Sequence, residues 1–217
     1  MKPVSLVGIR SALIVAPHPD DETIGAHGLI RALKRQGARI HLVVATDGAG
    51  SHPGSSRWPR RRLVAERKRE TLSAMRTVGV KAEDVRFLGF PDGRLSELSV
   101  KLRRTLRREI ATIRKCNLIV IPARDDDHPD HRAVAAAIPS SGTRTLHYLV
   151  WPHRKIRSGR ASHGLRLGLG TALKRGAIRR YRTQMGGITD DPNGFAISRK
   201  ELTAFARPVE HFREAQR

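Results

Sequence analysis

Along the first 150 residues two hydrophobic periods take turns. Short apolar runs at Ser11–Ala16, Arg39–Ala45, Val85–Leu88, Leu118–Ile121 and Thr145–Val150 have the length and β-branched content of buried strands. Between them lie segments whose apolar residues fall three and four apart. Ala26, Leu29, Ile30 and Leu33 mark a helix over Glu22–Gln36, stopped by Gly37. Leu63–Val78 reads as a second helix, closed by Gly79. Ser96–Lys115 is a third, with Leu98, Leu102, Leu106, Ile110 and Ile113 on one face and Arg103, Arg104, Arg107 and Arg108 on the other. A fourth runs to Ile138 with Pro129 in its first turn. Strand and helix therefore alternate, which predicts an α/β fold: a mostly parallel sheet of five or more strands with helices on both faces.

Beyond Trp151-Pro152 the pattern weakens. Residues 152–170 form a basic, variable segment, and within it Arg154–His163 is expected to be the least ordered stretch. Leu165–Leu169 alternates like a half-buried edge strand. Thr171 is placed to cap a helix reaching about Gln184, Asp191–Gly194 is a turn, and Arg199–Arg217 reads as helical with a break near Pro208. No internal repeat or boundary divides the chain, so residues 1–217 are expected to form a single domain.

Composition narrows the class. The chain is 39% hydrophobic, and no window holds the run of about 18 apolar residues that a membrane span needs. Residues 1–10 lack the apolar core of a secretory signal, and Cys116 is the single cysteine. Both point to a cytoplasmic protein. Charge changes the picture more. Lys and Arg number 42 against 20 Asp and Glu, for a net +22, a field that attracts phosphorylated, nucleotide- or lipid-linked substrates, anionic surfaces or nucleic acid. Aromatics at 4% leave little for base stacking and argue against single-strand nucleic acid as the partner. Nothing in the pattern sets an oligomeric state.

Candidate chemistry sits at two strand ends. Ala16-Pro17-His18-Pro19-Asp20-Asp21-Glu22 follows the first run, and Asp125-Asp126-Asp127-His128-Pro129-Asp130-His131 follows the fourth. In an open α/β sheet that edge binds ligands. Catalytic zinc takes three protein ligands and leaves a position for water. His18, Asp21 and His131 would make such a set. Asp20 would then be the general base and His128 the group facing the reacting carbonyl, with Asp130 orienting an imidazole. Spacing alone does not choose these ligands over others. The alternative is that Asp20 and Asp21 cap a helix while the second cluster is a solvated loop. Asp47 and Asp92 lie in turn-like stretches, Thr46-Asp47-Gly48 and Pro91-Asp92-Gly93, that would neighbour such a site. His52, His147, His153, His163 and His211 lack partners at ligand spacing and read as surface or structural residues.

The pair Pro17-His18-Pro19-Asp20-Asp21-Glu22 and His128-Pro129-Asp130-His131 resembles the LmbE-like, or PIG-L, de-N-acetylase family. Thr46-Asp47-Gly48, Arg67-x-x-Glu70, Phe87–Gly93 and the late segment Lys174–Gln184 agree with it. The resemblance implies a Rossmann-like fold and a zinc-dependent deacetylase, with Fe2+ as another metal it could use, acting on N-acetylglucosamine-type sugars and related amides. It implies His18, Asp21 and His131 as metal ligands, Asp20 as base, and His128 as the electrophilic or acid histidine with Asp130 behind it. Arg67 matches a position that reaches the substrate. Competing readings are an amidase for another N-acyl group, such as a thiol conjugate, and an inactive protein that binds anionic ligands or nucleic acid. The segment Arg154–Gly170 matches no substrate-defining pattern, which leaves the acceptor unnamed.

Overall fold

The computed structural model describes residues 1–113, 115–138, 142–151 and 161–214. Its centre is a single sheet of eight strands: β1 (Lys2–Pro3), β2 (Ser11–Ala16), β3 (Arg39–Thr46), β4 (Val85–Phe90), β5 (Leu118–Pro122), β6 (Thr145–Tyr148), β7 (His163–Arg166) and β8 (Val209–Glu214). Their order is β1-β7-β8-β6-β5-β2-β3-β4. Five neighbouring strands, β6-β5-β2-β3-β4, are parallel, whereas β8 runs antiparallel to both β6 and β7.

Among the described residues six helices complete the fold: α1 (Asp21–Arg35), α2 (Arg60–Arg76), α3 (Ser99–Thr112), α4 (Pro129–Ala137), α5 (Gly170–Ile178) and α6 (Arg199–Phe205). Alternate strand residues point to opposite faces, and the core divides accordingly. Ile14, Leu42, Val44 and Val120 pack with Leu29, Ile30 and Leu33 of α1 and Ala74 and Met75 of α2. Leu13, Val15, Val43 and Ile119 pack with Leu102 and Leu106 of α3 and Val134 of α4. All six residues of β2 are buried, and Ala12–Ala16 accordingly form an unbroken apolar run.

The chain adds β3 and β4 on one side of β2, then returns to place β5 on the other side. This reversal is the switch point at which open α/β sheets hold ligands. Both acid-and-histidine clusters leave from it, one after β2 and one after β5.

Four expectations change in the second half, one being that the edge strand expected over Leu165–Leu169 is β7, His163–Arg166, which lies inside the sheet between β1 and β8. Val209–Glu214, read as helix, is a strand: Pro208 ends the helical stretch, and Glu210 and Phe212 then alternate inward. The late helix stops at Ile178, and Arg182–Gln184 form a separate 3-10 turn. Thr171 is not its cap; Leu169 holds that position and no side chain bonds there. Most of Arg154–His163 lies outside the described residues.

Candidate active site

The second cluster is positioned by the start of α4. His128 occupies the N-cap, and its Nδ1 accepts the Asp130 backbone N–H at 3.2 Å, with Pro129 in the first turn. His131 is one turn further on. The ring centroids of His18, His128 and His131 lie 4.7, 5.1 and 5.3 Å apart. The fold therefore brings together residues from two loops more than a hundred positions apart.

Asp21, the first residue of α1, joins two of these rings. Its Oδ2 lies 3.1 Å from His18 Nδ1 and 3.2 Å from His131 Nε2. Metal–N and metal–O bonds near 2.0–2.2 Å in a tetrahedron separate ligand atoms by about 3.3 Å. Both of the separations at Asp21 match that spacing. The far nitrogen of each imidazole meets a carboxylate: His18 Nε2 lies 3.1 Å from Asp92 and 3.3 Å from Asp130, and His131 Nδ1 lies 3.2 Å from Asp126. Carboxylates behind imidazoles orient the rings and make them better ligands. Asp130 itself is fixed by the backbone N–H groups of Gly93 and Leu95, which it accepts at 2.8 and 3.0 Å. Its carboxylate serves His18, whereas its backbone serves His128. Among the described residues, donor atoms converge within 4.8 Å in two further combinations, His18 with His128 and His131, and His18 with Asp92 and Asp130.

Electrostatics favour a cation at this point. Burial disfavours charge on His18 and His131, yet the surrounding carboxylates outweigh it. His18 is held well above the ordinary imidazole range by Asp130, Asp21 and Asp92, and His131 is raised to about 9 by Asp21 and Asp126. Asp21, also buried, is held well below the usual carboxylate range by His131 and His18. The donor set and its excess negative charge suit a divalent ion.

Asp20 is arranged differently. It sits at the N-cap of α1 but makes no capping bond with its side chain, so capping does not account for it. Its backbone has φ 128°, a strained conformation for a residue with a Cβ. The buried guanidinium of Arg67 holds it: Nη2 donates to Asp20 Oδ2 at 3.1 Å and to the Pro19 carbonyl at 2.6 Å, while Nη1 donates to the Gly48 carbonyl at 2.8 Å. Burial lifts the Asp20 carboxyl to about 8 against the pull of Arg67. His128 goes the other way, lowered first by burial and then by the neighbouring histidines. Because its Nδ1 accepts the Asp130 N–H, the ring's other nitrogen, Nε2, is the one that can carry a proton.

These groups line a cavity of about 210 Å³ that also takes in Ser51, Arg67, Asp92 and Gln184, with Ile24, Val150, Trp151 and Phe195 as an apolar wall. Asp47 is not among the lining residues. Its carboxylate accepts from the Ala49 N–H at 3.0 Å and pairs with Arg60. Four residues went unassigned by sequence reading. Asp126 lay inside a run of three aspartates with no mark to single it out. Glu22 and Tyr181 bond to each other across 159 positions, and Phe195 reaches the cavity from a turn-rich stretch. His52 and His147 are buried and hydrogen-bonded away from the ligand atoms, as structural residues.

Comparison with known proteins places the chain in a family and a fold. The GlcNAc-PI de-N-acetylase (PIG-L) family matches residues 13–140. A Bacillus cereus protein named "Probable N-acetyl-alpha-D-glucosaminyl L-malate deacetylase 2" is 32% identical over 138 residues, covering 62% of each chain. The 2'-N-acetylparomamine deacetylase of Streptomyces fradiae is 32% identical over 160 residues, 65% of this chain and 57% of that one. The match thus spans roughly three fifths of these relatives' length. Among solved structures, the N,N'-diacetylchitobiose deacetylase of Pyrococcus horikoshii superposes with a TM-score of 0.71 at 22% identity over 96% of this chain and 84% of that one, which shows the fold. The family match, which carries both acid-and-histidine clusters, establishes that this chain belongs to the PIG-L (LmbE-like) family.

Proposed function

We propose that this protein is a metal-dependent hydrolase that removes the acetyl group from an N-acetylated amino sugar or glycoconjugate. The observation that carries the reading is Asp21 Oδ2 set between His18 Nδ1 and His131 Nε2, with Asp20 and His128 in the same cavity. His18, Asp21 and His131 hold the ion, zinc in our reading, with Fe2+ as the alternative that the same donors accept. When bound, such an ion lowers the pKa of water at the site and polarises a carbonyl. Asp20, set in the same cavity, takes the proton from the attacking water. His128 offers Nε2–H to the oxygen that becomes negative as the amide carbonyl is attacked. Arg67 keeps Asp20 in place, and Asp92 and Asp130 keep His18 oriented.

The substrate reading rests on three things. The relatives named above act, by their names, on N-acetylated amino sugars. Trp151 and Phe195, edge to face at 6.4 Å, give a sugar ring or its aglycone an apolar wall. The net charge of +22 favours an anionic conjugate, linked to phosphate, nucleotide or lipid. Arg67 and Asp92, with Ser51 and Gln184, are polar groups that face it.

The test is metal content measured alongside acetate release from a panel of N-acetylated sugars, free and nucleotide- or lipid-linked. His18→Ala should lose metal and activity together. Asp20→Asn should keep the metal and lose roughly 10²–10⁴ in kcat. Purified protein without a divalent metal, or activity that survives His18→Ala, would overturn the mechanism. Release of a different acyl group in preference to acetate would favour the amidase reading.

A further inference from the structure

The basic residues of this chain differ in how far they are engaged. On and around α2 several are engaged. Arg60 pairs with Asp47 and Arg69 with Glu66, Arg67 is buried against Asp20, Arg62 lies over the Trp58 ring at 4.0 Å, and nearby Arg180 donates to Ser73. On α3 they are not. Lys101, Arg103, Arg104, Arg107 and Arg108 are all exposed, and among the described residues none has an ion-pair partner. Lys101 alone has a neighbour, the Phe90 ring at 5.7 Å.

At 100° per residue these five side chains, with Val100 and Ala111, cover an outward arc of roughly 160°. Leu102 and Leu106 anchor the opposite side in the core. The cations repeat at three- and four-residue spacing: Lys101–Arg104, Arg103–Arg107, Arg104–Arg107 and Arg104–Arg108. Like charges at these separations repel. The free helix therefore carries an unrelieved repulsion, which an opposed negative surface would remove.

We infer that α3 is a docking face for an anionic phospholipid bilayer. The side chains radiate from a convex helix, so they do not converge on one small anion. They suit a plane of headgroups instead. Lys and Arg stems reach outward while keeping their charge in the headgroup layer. Val100, 67% exposed in the first turn of the helix and near the middle of the arc, gives that plane an apolar contact. The face carries no aromatic ring for bases to stack on and no Asn or Gln to read base edges, which disfavours nucleic acid. The inference does not depend on the hydrolase reading.

The experiment uses the full chain in co-sedimentation with vesicles of equal parts phosphatidylglycerol and phosphatidylcholine, and with phosphatidylcholine alone, at about 0.1 M salt. Binding is expected only to the anionic vesicles and should weaken steeply as salt rises. Changing Lys101, Arg103, Arg104, Arg107 and Arg108 to Gln should lower partitioning by roughly tenfold or more. A matched variant neutralises Lys2, Arg76, Arg179, Arg199 and Lys200, all exposed, and should stay within about twofold of wild type, although the net charge falls equally. Circular dichroism checks that both variants fold, and Val100→Asp, which leaves all five cations in place, should weaken binding by itself. Wild type that ignores anionic vesicles overturns the proposal. So does an equal loss in the matched variant, or duplex DNA bound through α3 more tightly than vesicles.

Discussion

Asp20 is the residue at which conformation and chemistry meet. A φ of 128° costs of order 1–3 kcal/mol for a residue with a Cβ, so neighbours must hold it. Arg67 does so from one side. From the other, Glu22 Oε2 accepts the Asp20 backbone N–H at 3.2 Å, while Glu22 Oε1 accepts from the Tyr181 hydroxyl, which in turn meets Thr23 Oγ1 at 2.9 Å. Burial lifts Glu22 to about 7, so near neutral pH the hydrogen bonds matter more than its charge. Glu22→Gln keeps an acceptor for Asp20 and a partner for Tyr181 and should retain most of kcat. Glu22→Ala leaves the Asp20 N–H unpaired and should lower kcat by roughly tenfold or more with KM little changed. Steady-state kinetics on metal-loaded protein separates the two. Equal losses in both variants would show that charge, not the hydrogen bond, is what Glu22 supplies.

Among the elements, α1 shows how tightly the site's support is built. Gly25 faces β6, and a Cβ there would come within 2.2 Å of the Tyr148 ring. That ring is itself fixed, since its hydroxyl donates to the Val15 carbonyl at 3.0 Å. Replacing a helix glycine with alanine ordinarily stabilises by up to about 1 kcal/mol, but overpacking costs about 1–3 kcal/mol. At Gly25 the clash should win, and Gly25→Ala should lower the melting temperature. Gly176 in α5 has nothing within 4 Å of the corresponding position, and Gly176→Ala should raise it. Thermal unfolding of the pair checks the contact, and a rise for both would mean that Tyr148 gives way freely. The same helix takes support from β8. Glu210 accepts the N–H groups of Gly28 and Leu29 at 2.7 and 3.0 Å and pairs with buried Lys174 at 2.9 Å. Lys174 therefore belongs to the interior, not to the basic surface its sequence neighbours suggest.

At the scale of the whole molecule, stability should depend on acid through His27. It is buried in α1, its Nδ1 has no hydrogen-bond partner, and its pKa is lowered to about 4 by burial, with Lys174 and Arg31 adding to the effect. The unfolded chain binds this proton near pH 6.5, and the folded protein does not until about pH 4. The contribution is fully present above pH 6.5 and is lost as pH falls toward 4. It amounts to about 3 kcal/mol at 1.36 kcal/mol per unit. Urea unfolding of wild type and His27→Leu at pH 7.5 and 4.5 reads it. The stability difference between the two should shift in favour of the variant by about 2–3 kcal/mol at the lower pH. An unchanged difference would mean that His27 reaches a proton acceptor in the fold.

What the sequence determined by itself was local. Helices and strands through Tyr148 follow the alternation of periods because each buries one face against a sheet covered on both sides, and that requirement is written every two or every 3.6 residues. His18 and Asp21, like His128 and His131, are three apart at a helix start, so each half of the site was legible as a unit. The tertiary structure decided everything that depends on pairing distant segments. It assigned Asp126 to His131 and Asp130 to His18, which a run of acids at one strand end does not specify. It set the left-handed Asp20 between Arg67 and Glu22, and it turned Val209–Glu214 into a strand between β6 and β7. Those outcomes rest on contacts between residues tens to more than a hundred positions apart, where no periodicity records which partner a side chain will meet.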